Sequence, residues 1–194
     1  DTINDFVLPK DSNEPYIVMQ GRPNSNWNYQ VRQGEEKIDI YTPSTTVHGF
    51  NMIEADRNIQ GDSKELTWTG ESKTAIAITS NWFREDLSLY LANDSSLAFD
   101  IRVESSNNGP LEVSMGCGLE LCSSIDIGTI ISQFEPKTWQ PITIDLKCFA
   151  NKGVEFTRSS IPFALSSDGE LSIRVSNVRY EPSTAEQAII SCGE

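Results

Sequence analysis

From residue 37 onward the chain repeats one pattern. Apolar and polar residues alternate with period two in short runs: KIDIYT (37–42), TAIAIT (74–79), LSLYL (87–91), LAFDIRVE (97–104), LEVSM (111–115), ITIDL (142–146) and LSIRVSNVRY (171–180). Successive side chains of an extended strand point to opposite faces, so each run buries one face and wets the other, and a one-residue slip would invert it. Turn formers (NDSS, SSNNGP, SSDGE) separate the runs at short intervals, as in sheets built from many short strands. The expectation is an all-β fold, a two-sheet antiparallel β-sandwich of jelly-roll type. One stretch departs from it. In SSIDIGTIISQFEPKTW, Ile127, Ile130, Ile131 and Phe134 follow helical spacing, with Asp126 as a cap and Pro136 beyond the stop. One short helix is predicted over 126–134. SDG (167–169) reads as a hairpin turn.

A chain of 194 residues suits one domain with a sizeable core. Residues 1–36, rich in Asn, Pro, Gly and charge, read as a linker and loop-rich segment, 37–182 as the sandwich, and 183–194 as a tail that docks through Ile189, Ile190 and Cys192. No apolar run is long enough to span a bilayer. The formal net charge of -13, with no Lys/Arg cluster, argues against nucleic acid and anionic lipid surfaces as partners and favours neutral ligands such as glycans. The opening at Asp1, without Met, fits a processed chain or an excised domain. Four cysteines, Cys117, Cys122, Cys148 and Cys192, lack the second close pair of a zinc site, and His48 is far from them. Disulfides in an exported protein are the better reading.

The residues that carry chemistry are few. A nucleophile–base arrangement has only His48 to recruit, and there is no G-x-S-x-G stretch. Abundant carboxylates on alternating strands read as a solvated face, so no glycosidase pair is assigned. The chain is expected to be non-catalytic by itself. Glu54, Asp56, Asp62 and Glu65 crowd one oxygen-rich stretch; Asp56 and Asp62 are candidate calcium ligands, or simply the acids of a solvated turn. Of the four tryptophans, Trp68 and Trp139 lie at strand edges and read as core, while Trp82 follows a strand and is a candidate for loop exposure. Trp27 and Tyr29 stand among Asn24, Asn26, Asn28 and Gln30. Their rings either plug the sandwich or, with Asn28 and Gln30, display a sugar-contacting surface on a projecting loop, since rings stack on pyranose faces and amides bind hydroxyls.

Specific strings go further. IQGDSKELTWTG, LAFDIRVE, MGCGLELC, WQPITIDLKCFANKGVEF and PFALSSDGELSIRVSNVRY, in this order over residues 37–180, resemble the C-terminal galactose-binding-like β-sandwich domain of bacterial family 3 glycoside hydrolases of the exo-1,3/1,4-β-glucanase type. That family tends to have cysteines matching Cys117, Cys122 and Cys148, whereas Cys192 lies beyond its pattern. The resemblance implies a non-catalytic domain, because the nucleophile and the acid/base of the family sit in a (β/α)8 barrel and an α/β sandwich outside this chain. The parent would be an exported, retaining β-glucan exo-hydrolase engaged in polysaccharide degradation. Its barrel and α/β sandwich would be the partners of this domain, with β-glucan or glucose as ligand. Two roles follow: packing on the catalytic domains while lending Trp27, Asn28 or Gln30 to the active-site rim, or binding β-glucan as an autonomous module.

Overall fold

The computed structural model describes residues 13–24, 26–80 and 83–192. Fourteen strands among them form two sheets: β1 (Tyr16–Gln20), β2 (Arg22–Pro23), β3 (Trp27–Gln33), β4 (Glu36–Ile40), β5 (Thr45–Val47), β6 (Phe50–Ala55), β7 (Ser63–Thr69), β8 (Thr74–Ser80), β9 (Ser96–Ser106), β10 (Glu112–Cys117), β11 (Glu120–Asp126), β12 (Trp139–Asp145), β13 (Phe163–Ser167) and β14 (Glu170–Glu181). The six-stranded sheet runs β11-β10-β13-β8-β3-β4. The eight-stranded sheet runs β12-β9-β14-β7-β6-β5, with β1 on β14 and β2 on β1. The pairings of named strands are antiparallel.

The alternation seen in the sequence is the sandwich in projection. Ile76 and Ile78 on β8, Val113 and Met115 on β10, and Phe163 and Leu165 on β13 face Phe99, Ile101, Leu171, Ile173 and Trp68 of the other sheet, all nearly inaccessible. Each such side chain contributes roughly 1.5–3 kcal/mol on burial. Trp68 is fully buried, packs on Phe50 with ring centroids 5.2 Å apart, and donates its indole N–H to Thr74 O at 2.9 Å. Trp139, expected in the core, is instead half-buried on β12, with the Arg57 guanidinium 4.9 Å from its ring.

Among the described residues three short α-helices occur rather than one: α1 (Ser88–Ala92), α2 (Gly128–Ile131) and α3 (Leu146–Ala150). The second lies inside the predicted 126–134, with Asp126 Oδ1 accepting the amides of Gly128 (2.8 Å) and Leu111 (3.2 Å). The first corrects a strand expectation. In LSLYL the buried residues are Leu87 and Tyr90 with Leu91 half-buried, while Leu89 is half exposed. The apolar set at 87, 90 and 91 satisfies a helix as readily as 87, 89 and 91 satisfy a strand, and packing chose the helix. The SDG turn is a second correction. It links β13 of one sheet to β14 of the other and so crosses between layers instead of closing a hairpin.

Part of the presumed linker is also structure. Tyr16 pairs with Tyr180, Val18 and Met19 are core residues, and β3 is an interior strand between β8 and β4. At the other end Ile190 bridges Ile144, and Cys192 is bonded to Cys148, so the tail docks through two of the three residues expected; Ile189 stays exposed. The other disulfide joins Cys117 and Cys122 at a Cα separation of 5.5 Å.

Candidate functional site

The outward face of the six-stranded sheet is built from the alternate residues of the strands whose other set fills the core. On β3, Trp27, Tyr29 and Val31 point inward, which sends Asn28, Gln30 and Arg32 outward. Gly34, with φ 58°, opens a two-residue hairpin between Gln33 and Glu36, the position where positive φ favours glycine. The return strand β4 then sets Lys37 and Asp39 opposite Arg32 and Gln30, with Tyr41 just past its end. These side chains form a polar ladder. Asp39 Oδ1 accepts from Gln30 Nε2 at 2.8 Å and Asn28 Nδ2 at 3.3 Å, Gln30 Oε1 accepts from Arg32 Nε at 2.8 Å, and Thr79 Oγ1 donates to Asn28 Oδ1 at 3.4 Å. Beside it the Tyr41 ring is 75% exposed.

Small residues pave the rest of this face: Ala75 and Ala77 on β8, Ala164 and Ser166 on β13, and Ser114 on β10. Across it bends the tip of the β10–β11 hairpin. Its base is fixed where Gly116 N donates to Ile161 O at 3.0 Å and Ser160 Oγ donates to Gly118 O. Leu121 packs with Ile161 on Ala77 and Ala164. A Cβ at Gly116 would lie 2.8 Å from Ile161 Cβ, so this approach requires glycine. At the tip, Arg32 Nη1 donates to Leu119 O at 3.0 Å and Lys37 Nζ meets Glu120 Oε1 at 2.5 Å. That hydrogen bond and charge hold the Glu120 carboxyl below its ordinary range, while burial lowers the Arg32 pKa against the opposing pull of Glu120 and Asp39.

The hairpin therefore divides the face into two grooves. One, of about 240 Å³, is lined by Asn28, Gln30, Asp39, Tyr41, Thr79 and Ser160, with Leu119 closing one side. The other, of about 530 Å³, lies over Ala75, Ser114 and Ser166 and is bounded by Glu120 and Cys122. Arg32 and Lys37 border both.

The expected sugar-contacting stretch is thus split by the pleat. Trp27 and Tyr29 are 3% and 6% exposed, in a strand and not a projecting loop. Trp27 Nε1 donates to Tyr16 Oη at 3.1 Å and Tyr29 Oη to Gly21 O at 2.8 Å. Both border a cleft of about 350 Å³ shared with Tyr41 but expose too little of their rings to stack on a sugar, whereas Asn28 and Gln30 reach the groove. Trp82 lies outside the described residues. Tyr41, Asp39 and Arg32 were missed. Carrying the alternation of KIDIY back across Gly34 into WNYQVRQ would have found them.

Asp56 and Asp62 do not converge with a third ligand: among the described residues no group of three or more His, Cys, Asp and Glu side chains is placed to hold a metal ion. Asp62 accepts the amides of Arg57, Asn58 and Ile59, and Asp56 accepts that of Gly61 at 2.7 Å. Burial of Asp62 opposes ionisation, but these amides outweigh it and lower the pKa. Both carboxylates serve as turn acceptors, a donor set far from the six to eight oxygens calcium takes. The single histidine, His48, is exposed, with Nε2 3.3 Å from Glu71 Oε2.

Comparison with known proteins yields one family and a group of folds. The profile of the Exop_C family, described as galactose-binding domain-like, matches residues 25–180. The extra C-terminal domain of the exo-1,3/1,4-β-glucanase from a Pseudoalteromonas species superposes with a TM-score of 0.72 at 15% identity, covering 92% of this chain and 99% of that one. Against the structure of that whole glucanase the TM-score is 0.70 at 15% identity, covering 98% of this chain but 22% of the other, so the chain spans about a fifth of its length. A family 11 carbohydrate-binding module from Clostridium thermocellum, solved with a β-1,3-1,4-mixed-linked tetrasaccharide, gives a TM-score of 0.55 at 12% identity, covering 87% and 96%. No curated protein matches.

Proposed function

Since the chain belongs to the Exop_C family of galactose-binding-like domains, we propose that it is a non-catalytic β-glucan-recognising domain of a longer, exported glucan hydrolase. The observation that carries this reading is the Tyr41 ring, 75% exposed beside the Asn28–Asp39–Gln30 ladder. A pyranose ring stacks its C–H face on an aromatic plane while amides and carboxylates bind its hydroxyls. The likeness to the family 11 module solved with a mixed-linked tetrasaccharide supports a glucan as ligand, and a net charge of -13 suits a neutral one. Two disulfides support export. Isothermal titration of the chain with laminarin and mixed-linkage glucan is the test: heat that saturates for the native protein and needs about tenfold more ligand for Tyr41→Ala supports the reading, and no binding by the native protein defeats it.

A second reading puts the same groove at the rim of a catalytic site in the longer polypeptide, with Asn28 and Gln30 contacting a bound glucan there and the sandwich packed on the catalytic domains. The whole Pseudoalteromonas glucanase, of which a domain like this one makes up about a fifth, favours it. Here Asn28→Ala and Gln30→Ala would lower kcat/KM of the full-length enzyme on short β-glucans while the isolated domain binds none. Unchanged kinetics in both variants would reject it.

A further inference from the structure

We propose that the groove beside Tyr41 receives the end of a glucan chain and not its middle, because the β10–β11 hairpin closes the path that an internal segment would have to follow. The inference rests on the carbohydrate-binding reading above and goes beyond it by naming the part of the polymer recognised.

A sheet face that binds the middle of a polysaccharide must let the chain enter at one side and leave at the other. Here the six-stranded sheet would provide such a trough, running from Asn28, Tyr41 and Thr79 on one side to Lys73, Glu112 and Ser166 on the other. The hairpin tip crosses it. Residues 119–121 reach over β13 and β8 to β3 and β4, where Arg32 takes the Leu119 carbonyl and Lys37 takes Glu120. A cleft of about 350 Å³ that shares Asn28 and Tyr41 gives the rest of the polymer its way out, and what remains on the hairpin side is a groove lined by the Tyr41 ring, by Asn28, Gln30 and Asp39, and by Leu119. Its volume of about 240 Å³ is below the roughly 300–1,000 Å³ usual for ligand pockets. That is room for a terminus, with the rest of the polymer outside.

The two attachments of the barrier differ in strength. Its base is held by the Leu121–Ile161 contact on Ala77 and Ala164 and by the Cys117–Cys122 bond. Its tip rests on Lys37 and Glu120, whose side chains are 34% and 72% accessible, and on Arg32, only 10% accessible but 3.9 Å from Glu120, so that a cation at position 120 would be repelled by both. Charge reversal at Glu120 therefore opens the tip while leaving the base and the fold in place.

The experiment titrates the chain with mixed-linkage β-glucan before and after partial acid hydrolysis, and repeats both titrations with Glu120→Lys. For the native protein, hydrolysis that raises the number of chain ends about tenfold is expected to raise the titrated sites per gram about tenfold, with affinity per site changing less than about twofold. For Glu120→Lys, unhydrolysed polymer is expected to gain sites and lose this dependence on ends. Sites per gram unaffected by hydrolysis in the native protein would overturn the proposal, and so would a Glu120→Lys variant of unchanged Tm whose sites still follow the ends. Absence of binding to every glucan would instead remove the carbohydrate reading on which it stands.

Discussion

Single residues divide between those that hold the sandwich and those that it displays. Trp27 and Tyr41 lie fourteen positions apart on one hairpin and have opposite fates, 3% and 75% exposed. Trp27→Ala is expected to cost about 3–5 kcal/mol of stability, read as the free energy of denaturant unfolding. Tyr41→Ala should leave Tm within about 2 °C yet weaken glucan binding about tenfold, the value of a lost ring stack. Glu85 makes a different prediction. It is 2% exposed, its carboxyl accepts from Tyr16 Oη and from Asn26 Nδ2 at 3.4 Å, and Tyr180 lies near enough to feel its charge. Burial pushes its pKa from 4.5 up to about 7. A raised carboxyl pKa means that the folded state holds its proton more tightly than the unfolded one, so stability is full below about pH 4.5 and falls as pH rises toward 7. The loss is at most about 3 kcal/mol. Thermal melts across this range should show Tm declining with pH for the native protein and a flatter profile for Glu85→Gln; an equal slope in both would exclude Glu85 as the source.

Among the elements, the two disulfides invite a comparison. Cys148–Cys192 spans 44 positions and Cys117–Cys122 spans 5. By chain entropy the longer loop stabilises by about 4 kcal/mol and the shorter by about 2. The paired Ser variants, followed by denaturant unfolding, should rank in that order. How legible the elements were depended on what decided them. Strands such as TAIAIT and LAFDIRVE, whose alternation alone sets their faces, could be read directly. The interior strand β3 was hidden because its outward set is two amides and an arginine and it follows Gly21, Pro23 and Asn24, residues that signal loops. LSLYL satisfied both periods, so only packing against the sandwich could choose. The groove was half legible: the amides of Asn28 and Gln30 point to it from the sequence, but so do the rings of Trp27 and Tyr29, which the pleat turns inward. The barrier was not legible at all. Its contacts join Arg32 to Leu119 across 87 positions, and no local pattern encodes such a meeting.

At the scale of the molecule, the two outer faces differ. The face of the eight-stranded sheet carries a half-buried ion-pair ladder in which Arg174 meets Glu65 at 3.1 Å and Glu104 at 3.6 Å, and Arg179 meets Glu181 at 2.6 Å. The opposite face carries the grooves. Ring stacking and neutral hydrogen bonds do not depend on ionic atmosphere, so affinity for a short β-glucan oligosaccharide should change less than about twofold between low and ~0.5 M salt; a steep fall would indicate a charged ligand. The pairing of β1 with the end of β14 also has a mechanical side. Tyr16 opposes Tyr180 in an antiparallel pair, so tension drawn through the two ends of the domain pulls at the same end of that pair and would peel it one hydrogen bond at a time. The Cys148–Cys192 bond intercepts that load: force arriving from the C-terminal side is caught by α3 before it reaches β14. In single-molecule stretching the oxidised domain is expected to yield at higher force than the reduced one.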